Sequence, residues 1–334
     1  MSSAERKVRL AIGLGCLAAG AAVGFVARDR VPDGGGRAFT EVRDEGYRWI
    51  SPLLECDLAP DVLRNRELGP FKEKVRVVLR DAAAKAAASS VSLYFRELND
   101  GIWFGVGEDA SYAAASLRKV PMMLAILKQA ELDPGLLSRE VVANLAQDYD
   151  ARQTIKPSQP LARGGRYPVG ELLSRMIVQS DNNAFMLLSG IVDPQTLGKV
   201  YGLLALRPPS APGEESEGAV LTYASFFRIL YNGTYLTKEM SDLALAHLAE
   251  AEFRAGLVAG VPASVPVAHK FGERTDPTTG EKQLHDCGIV YHPRHPYLLC
   301  VMTKGPRFDG LAEVIALASR TVYSEVEAQH ALTH

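Results

Sequence analysis

The chain has 334 residues, of which 47% are hydrophobic, enough to fill one large hydrophobic core or two ordinary ones. Its formal net charge is only -2, and acidic and basic residues are mixed along the chain. This balance gives no basis for a nucleic-acid-binding function or for an interaction through an acidic or basic tail.

The first 30 residues have a composition of their own. Arg6, Lys7 and Arg9 precede an uncharged stretch over residues 10–27 that is rich in alanine, glycine, leucine and valine. A helix of this length would reach roughly 27 Å, near the lower limit for crossing a bilayer. We expect residues 1–30 to be an uncleaved membrane anchor, and a cleaved signal peptide is the alternative.

A linker and a single large domain are expected to follow. Residues 31–45 include Pro32-Asp-Gly-Gly-Gly36, a composition typical of a flexible linker. The domain is expected over residues 46–330. Its first part, Tyr47-Arg-Trp-Ile-Ser-Pro-Leu-Leu54, is apolar and is expected to dock on the rest of the domain.

From residue 71 onward, hydrophobic periodicity predicts a mixture of helices and strands. The predicted helices cover residues 71–88, 117–131, 168–179, 183–191, 194–204, 222–230, 238–251 and 310–328. The predicted strands cover residues 91–95, 102–106, 265–270, 284–291 and 297–303. Two strands, a helical insert, three strands and a final helix predict an α/β (α+β) fold: a five-stranded antiparallel sheet flanked by helices, plus an all-helical insert.

Two of the four cysteines lie on a predicted hairpin that turns at His292-Pro-Arg-His-Pro296. If Tyr291 faces Tyr297 across the hairpin, Cys287 and Cys300 point to opposite faces of the sheet. We therefore predict buried free thiols and no disulfide between them. The seven histidines form no His-x-x-x-His or Cys/His cluster, so no metal or other cofactor is expected.

Three short motifs each occur once, in the order Ser116-Leu-Arg-Lys119, Ser180-Asp-Asn182 and Lys270-Phe-Gly272. Ser116 falls where a buried helix is predicted to begin, so its hydroxyl would meet unpaired N–H groups and the positive end of the helix dipole. Lys119 lies one turn further on, where desolvation would lower its pKa and allow it to accept a proton. The alternative is a simple helix N-cap followed by a lysine that extends into solvent.

The second and third motifs also allow two interpretations. The second lies between two predicted helices and could direct its side chains into a cleft, but serine, aspartate and asparagine are also common helix caps. Lys270 ends a predicted strand and could be an isolated lysine, whereas Gly272 would let the backbone come close to a ligand.

Together the motifs resemble the signature of class A β-lactamases and penicillin-binding D,D-peptidases, over residues from about Val75 to about Tyr323. These enzymes share the architecture predicted above. The resemblance implies an extracytoplasmic serine hydrolase, anchored to the membrane by its N-terminal segment. It would act on β-lactams or related amides through an acyl-Ser116 intermediate, and we expect it to be a monomer.

The resemblance also implies a role for each motif residue. Lys119 would activate Ser116, and Ser180 would pass a proton to the leaving nitrogen. Asn182 would hold Lys119 and the amide side chain of the substrate. Lys270 would attract a substrate carboxylate and polarise Ser180. The N–H groups of Ser116 and Glu273, next to Gly272, would form an oxyanion hole.

Two departures from the family pattern leave other functions open. Phe271 stands where the family has a hydroxyl-bearing residue that binds the substrate carboxylate. No Glu-x-x-Leu-Asn segment follows the second motif, although Glu214, Glu215 or Glu217 could supply the base that activates water. The alternatives are a D,D-peptidase or cell-wall amidase with slow deacylation, and a non-catalytic membrane-tethered binding or sensor domain.

Overall fold

The structure is a computed structural model and describes residues 41–43, 46–56, 68–206 and 217–331. The expected anchor over residues 1–30, and all of the expected linker except residues 41–43, lie outside these ranges. No helix within them is long and apolar enough to cross a membrane.

The described residues form eight α-helices and eleven strands. The helices are α1 (Gly69–Ala86), α2 (Lys119–Leu132), α3 (Val169–Val178), α4 (Asn182–Ser189), α5 (Pro194–Gly202), α6 (Val220–Tyr231), α7 (Lys238–Ala249) and α8 (Phe308–Ala331). The strands are β1 (Glu41–Arg43), β2 (Leu53–Cys56), β3 (Ser90–Glu97), β4 (Trp103–Val106), β5 (Ser111–Ala113), β6 (Glu140–Val142), β7 (Arg166–Pro168), β8 (Glu217–Ala219), β9 (Val267–Thr275), β10 (Lys282–Val290) and β11 (Tyr297–Gly305). Short 3₁₀-helices cover Ala115–Arg118, Leu136–Ser138 and Leu257–Gly260.

The main sheet has five antiparallel strands, as predicted, and their order is β4-β3-β11-β10-β9. Helices α1 and α8 pack with one face of the sheet, and the helical insert packs on the other. The insert also contains the two-stranded ladders β5-β8 and β6-β7. Three-residue strands are too short to show an alternating pattern, so the sequence did not predict these ladders.

Helix α2 is the centre of the helical insert. Residues 119–127 are all buried, so the helix is surrounded by protein on every side. This agrees with its sequence, which is apolar around nearly the whole helix. This packing on all sides fixes the position of Lys119, the first residue of the helix.

The segment before α1 docks on the body of the domain, as expected. The Trp49 N–H donates to Asp242 Oδ1 at 2.9 Å, and the Tyr291 hydroxyl donates to the Trp49 carbonyl at 2.7 Å. The Trp49 and Tyr291 rings meet edge to face with their centroids 5.1 Å apart, and Ile50 is buried beside them.

Cys287 and Cys300 form a disulfide, so the prediction of two free thiols was wrong. Strands β10 and β11 pair with Val290, rather than Tyr291, opposite Tyr297. The Tyr291 N–H donates instead to the Pro266 carbonyl at 3.0 Å, outside the β10-β11 ladder. This one-residue change of register places the two cysteines directly opposite each other on one face.

Replacing both cysteines, as Cys287→Ala with Cys300→Ala, is expected to destabilise the domain. A bond between residues 13 apart restricts the unfolded chain, and losing such a bond costs about 2–4 kcal/mol of unfolding free energy. Urea denaturation followed by tryptophan fluorescence measures this difference. Thiol titration of the denatured wild-type chain is the control: of its four cysteines, two should react before reduction and four after it. Four reactive thiols before reduction would contradict the disulfide.

Candidate active site

Ser116 lies in the 3₁₀-helix that leads into α2. The preceding residue, Ala115, has φ +48°, a left-handed conformation that costs a residue with a side chain about 1–2 kcal/mol. Ser116 is 9% exposed, and within the described ranges its hydroxyl takes part in no hydrogen bond. Strained backbone of this kind is often found at functional sites, and here it presents a hydroxyl without a partner at the entrance of a buried helix.

The buried side chain of Lys119 joins the first motif to the second. Its Nζ donates to the Ser180 carbonyl at 2.6 Å, to Ser180 Oγ at 3.1 Å and to Asn182 Oδ1 at 2.7 Å. Burial lowers the pKa of Lys119 well below its ordinary value, and the nearby positive charges of Lys270 and Arg118 lower it further. A lysine in this environment loses its proton more readily than an exposed lysine and can act as a base.

The second motif has a strained residue, Ser180, and its Asp181 caps a helix. Ser180 has φ +56°. The Asp181 carboxylate accepts from the Ala184 N–H at 2.7 Å and so caps α4. Burial raises the pKa of Asp181 to about 6, and the neighbouring Asp150 carboxylate adds to the rise. The motif therefore both caps a helix, as the simpler interpretation suggested, and directs Ser180 and Asn182 toward Lys119.

Asp150 and Gln153 are site residues that the sequence analysis missed. Asp150 Oδ1 accepts from the Asn182 N–H at 2.7 Å, and its Oδ2 accepts from Asn183 Nδ2 at 2.7 Å. Gln153 Nε2 donates to the Ser180 carbonyl at 2.9 Å. Both residues lie in an irregular segment about thirty residues before the second motif. The only signal in the sequence was a pair of aspartates, Asp148 and Asp150, which alone do not indicate a site.

Lys270 lies on β9, the edge strand of the sheet, opposite Cys287. Its fully buried Nζ donates to the Phe271 carbonyl at 3.0 Å and lies 4.3 Å from the centroid of the Phe271 ring. Burial lowers the pKa of Lys270 to about 7, against the opposing effect of the Asp286 and Glu273 carboxylates. Among the described residues, the lysine that contacts the Ser180 hydroxyl is Lys119, rather than Lys270 as expected.

The Phe271 side chain belongs to the hydrophobic core on the α1 and α8 side of the sheet. It is 3% exposed, and its ring stacks on Phe253 with 4.4 Å between centroids. Phe271 therefore fills core volume and covers one side of the Lys270 ammonium group. It offers no hydroxyl to a ligand.

The strand that carries Gly272 and Glu273 touches the backbone of Ser116. A Cβ on Gly272 would lie 3.0 Å from the Ser116 nitrogen and 3.2 Å from the Leu117 nitrogen, so only glycine allows this approach. The two N–H groups expected to form an oxyanion hole, those of Ser116 and Glu273, thus belong to adjoining segments. The Glu273 carboxylate accepts from backbone N–H groups of the loop that contains Thr154 and Ile155.

The candidate deacylation bases fall largely outside the structure. Glu214 and Glu215 lie outside the described residues. Glu217 is exposed at the start of β8, where its carboxylate accepts from Ser111 Oγ at 3.4 Å. Within the described ranges, no cluster of histidine, cysteine and acidic side chains could hold a metal ion.

A surface pocket lies beside the second motif. It is lined by Asp148, Arg163 and Asn183 together with apolar residues that include Ala143 and Leu161. Ser116 is not among its lining residues. Lys119, Ser180, Asn182 and Lys270 do not line it either.

The sequence and the fold are similar to those of known proteins. Residues 70–326 match the sequence profile of the Beta-lactamase enzyme family, whereas no curated protein sequence matches the chain. A variant of PBP-A, solved as an acyl-enzyme complex with penicillin-G, has a TM-score of 0.65 at 21% identity, covering 77% of this chain and 97% of its own. A β-lactamase from Sphaerobacter thermophilus DSM 20745 has a TM-score of 0.64 at 21% identity, covering 75% and 98%.

A class A β-lactamase from Mycobacterium abscessus is also similar, with a TM-score of 0.62 at 20% identity, covering 76% of this chain and 99% of its own. At these identities the solved structures establish a shared fold. The family profile covers more than half of the chain and agrees with that fold. The chain therefore belongs to the Beta-lactamase enzyme family.

Proposed function

We propose that this domain is a serine hydrolase that acts by acyl transfer on β-lactams or related amides, through an ester on Ser116. The observation that carries this proposal is the buried Lys119. Its Nζ is hydrogen-bonded to Ser180 and Asn182, and it follows Ser116 by one helical turn. A lysine with a lowered pKa at this position can serve as the base that a serine nucleophile needs.

The first step forms the acyl-enzyme. Neutral Lys119 takes the proton from Ser116 Oγ as that oxygen attacks the carbonyl carbon of the substrate. The electron pair of the C=O bond moves to the carbonyl oxygen. The N–H groups of Ser116 and Glu273 would donate to this oxyanion, close to the glycine that brings the two segments together.

Collapse of the tetrahedral intermediate breaks the C–N bond. The leaving nitrogen takes a proton through the Ser180 hydroxyl, which is replenished from protonated Lys119 at 3.1 Å. The products are an ester on Ser116 and an amine. In a β-lactam this amine stays attached through the opened ring. The proton taken from Ser116 thus ends on the nitrogen.

Hydrolysis of the ester is proposed to be the slow step. The chain has no Glu-x-x-Leu-Asn segment, and Glu217 is exposed at the start of β8. Water must then be activated by Lys119 or react without a base. The absence of a general base slows such a step by roughly 10²–10⁴-fold.

The function and its slow step are tested together by intact-mass measurement after mixing with penicillin-G. We expect a mass increase of one penicillin per chain that persists for minutes or longer. A chromogenic cephalosporin should give a burst of about one product per site and then a slow rate. Glu214→Gln, Glu215→Gln and Glu217→Gln should each leave the slow rate unchanged. Rapid turnover without a burst, lost in one of these variants, would show that the loop supplies a base.

The absence of a Glu-x-x-Leu-Asn segment favours a second candidate, a D,D-peptidase or cell-wall amidase with slow deacylation. The buried Phe271 ring leaves the third motif without the hydroxyl that would bind a substrate carboxylate, which favours a non-catalytic binding or sensor domain. Release of D-alanine from a peptide ending in D-Ala-D-Ala would identify this activity. A membrane-tethered sensor domain would instead form a stable penicillin adduct and release no D-alanine, and a purely binding domain would form no adduct.

We propose an extracytoplasmic location, with residues 1–30 as the anchor and the domain acting as a monomer. The disulfide between Cys287 and Cys300 supports this location, because such bonds persist in oxidising compartments. The proposed partner is a small-molecule or cell-wall peptide substrate, and no nucleic acid is involved.

A further inference from the structure

Residues 150–155 form a surface segment, here called the strap, that is bonded to the loop of the second motif. Asp150 Oδ1 accepts from the Asn182 N–H at 2.7 Å. Gln153 Nε2 donates to the Ser180 carbonyl at 2.9 Å. One end of the strap is therefore fixed to the wall of the cleft that contains Ser180.

The other end of the strap is bonded to the opposite wall, the edge strand β9. Glu273 Oε1 accepts from the N–H groups of both Thr154 and Ile155, each at 2.8 Å. Lys156 Nζ donates to the Asp150 carbonyl at 2.5 Å and the Ala151 carbonyl at 2.8 Å, which keeps the strap in a compact turn. Within the described ranges, both hydrogen bonds from the strap to β9 go to this one carboxylate, and Ile155 also packs against the hydrophobic cluster that contains Phe271.

The two walls lie on either side of the Ser116 region. Ser180 is held by Lys119, one turn after Ser116, and the strand before Glu273 touches the Ser116 nitrogen through Gly272. Ala151, Arg152 and Thr154 are exposed, so the strap forms the outer surface.

The motif side chains between the two walls are almost completely enclosed by protein. Ser116 is 9% exposed, Ser180 is 1% exposed and Lys119 is fully buried. Glu273 Oε2 is also buried and, within the described ranges, makes no hydrogen bond. The Glu273 carboxylate therefore has one oxygen bonded to the strap and the other enclosed by protein.

We propose that the strap is a lid over the cleft and that the Glu273 side chain is its latch. An acyl donor reaches Ser116 only after the Thr154 and Ile155 N–H groups leave the carboxylate. This inference rests on the proposed function for the identity of the ligand. Whether the strap limits access to residue 116 can be measured without acyl transfer.

The test uses the full chain with Ser116→Cys and measures alkylation of residue 116 by iodoacetamide, quantified on the peptide that contains it. Adding Glu273→Ala removes the latch and keeps the backbone N–H. We expect alkylation to be faster by about tenfold, the order expected when hydrogen bonds to a charged acceptor are lost. Glu281→Ala, at a partly exposed position on the same hairpin, should leave the rate unchanged.

Glu273→Gln separates the latch from a simple effect of charge. This variant loses the negative charge but keeps an amide oxygen that can accept from the strap, so its rise in alkylation should be clearly smaller. Amide hydrogen exchange at Thr154 and Ile155 should accelerate in the same order, with alanine above glutamine and glutamine above glutamate.

An unchanged alkylation rate in Glu273→Ala, or equal rises in Glu273→Ala and Glu273→Gln, would overturn the proposal. Faster exchange at Thr154 without faster alkylation would also overturn it, because the strap would then open without exposing residue 116. None of these measurements uses acylation. If penicillin-G failed to label the wild-type chain, the proposed function would be refuted, but the conclusion about the lid would not be affected.

Discussion

Replacing Ser116 with alanine is expected to abolish covalent labelling of the chain by a fluorescent penicillin. The alanine removes the only atom at this position that can form the ester. The Ser116 hydroxyl makes no hydrogen bond within the described ranges, so the fold should be little affected. Fluorescence of the denatured chain after gel electrophoresis measures the labelling.

Ser225→Ala is the matched control for this substitution. Ser225 lies on α6, where its hydroxyl donates to the Leu221 carbonyl of its own helix, at 2.9 Å. This variant should label like the wild-type chain, and thermal melts should confirm that both variants are folded. If Ser116→Ala were labelled as strongly as the wild-type chain, the assignment of the nucleophile would be wrong.

Replacing Lys119 with methionine is expected to slow acylation by at least about 10²–10⁴-fold, the contribution of a positioned general base. Methionine keeps a similar volume in the buried site but can accept no proton from Ser116. It also removes the donor that holds Ser180 Oγ at 3.1 Å. Stopped-flow labelling with a fluorescent penicillin measures the rate, and Lys199→Met on the exposed surface of α5 is the control. A wild-type rate in Lys119→Met would exclude this lysine as the base.

The role of Lys119 also predicts how acylation depends on pH. Acylation should slow as the pH falls, because protonated Lys119 cannot take a proton from Ser116. Burial lowers the pKa of Lys119, so the rate should reach its plateau at a lower pH than it would with an exposed lysine as the base. The positive charge of Lys270 lowers the pKa of Lys119 further. Lys270→Met should therefore move the midpoint to higher pH, and an unchanged midpoint would show that the two lysines are not coupled.

Much of the fold could be predicted from the sequence, because its signals are local. Alternating residues and the Asn99-Asp-Gly101 turn indicate the hairpin of β3 and β4, and continuous burial explains the apolar sequence of α2. Because this apolar run begins directly after Ser116, the first motif could be placed at the start of the helix. The family resemblance that the three motifs carry then predicted the contact of Asn182 with Lys119.

The parts that could not be predicted depend on contacts between distant residues. The register of β10 against β11 follows from where Tyr291 leaves the ladder, and no local pattern marks that residue. Asp150 reaches Asn182 across 32 residues of irregular chain. The contact of Glu273 with Thr154 and Ile155 spans more than 100 residues. Side chains that act through such contacts have no periodicity from which they could be recognised.

The bond between Cys287 and Cys300 has a practical consequence for anyone who produces this protein. Both sulfurs are completely buried, and Cys287 lies beside Lys270 on the neighbouring strand. A reductant added to the folded protein has little access to the bond, whereas a chain synthesised in a reducing cytosol would fold without forming it. Two preparations of one sequence could thus differ covalently at the strand that supports the site. The oxidation state of each batch should be established by mass before their rates are compared.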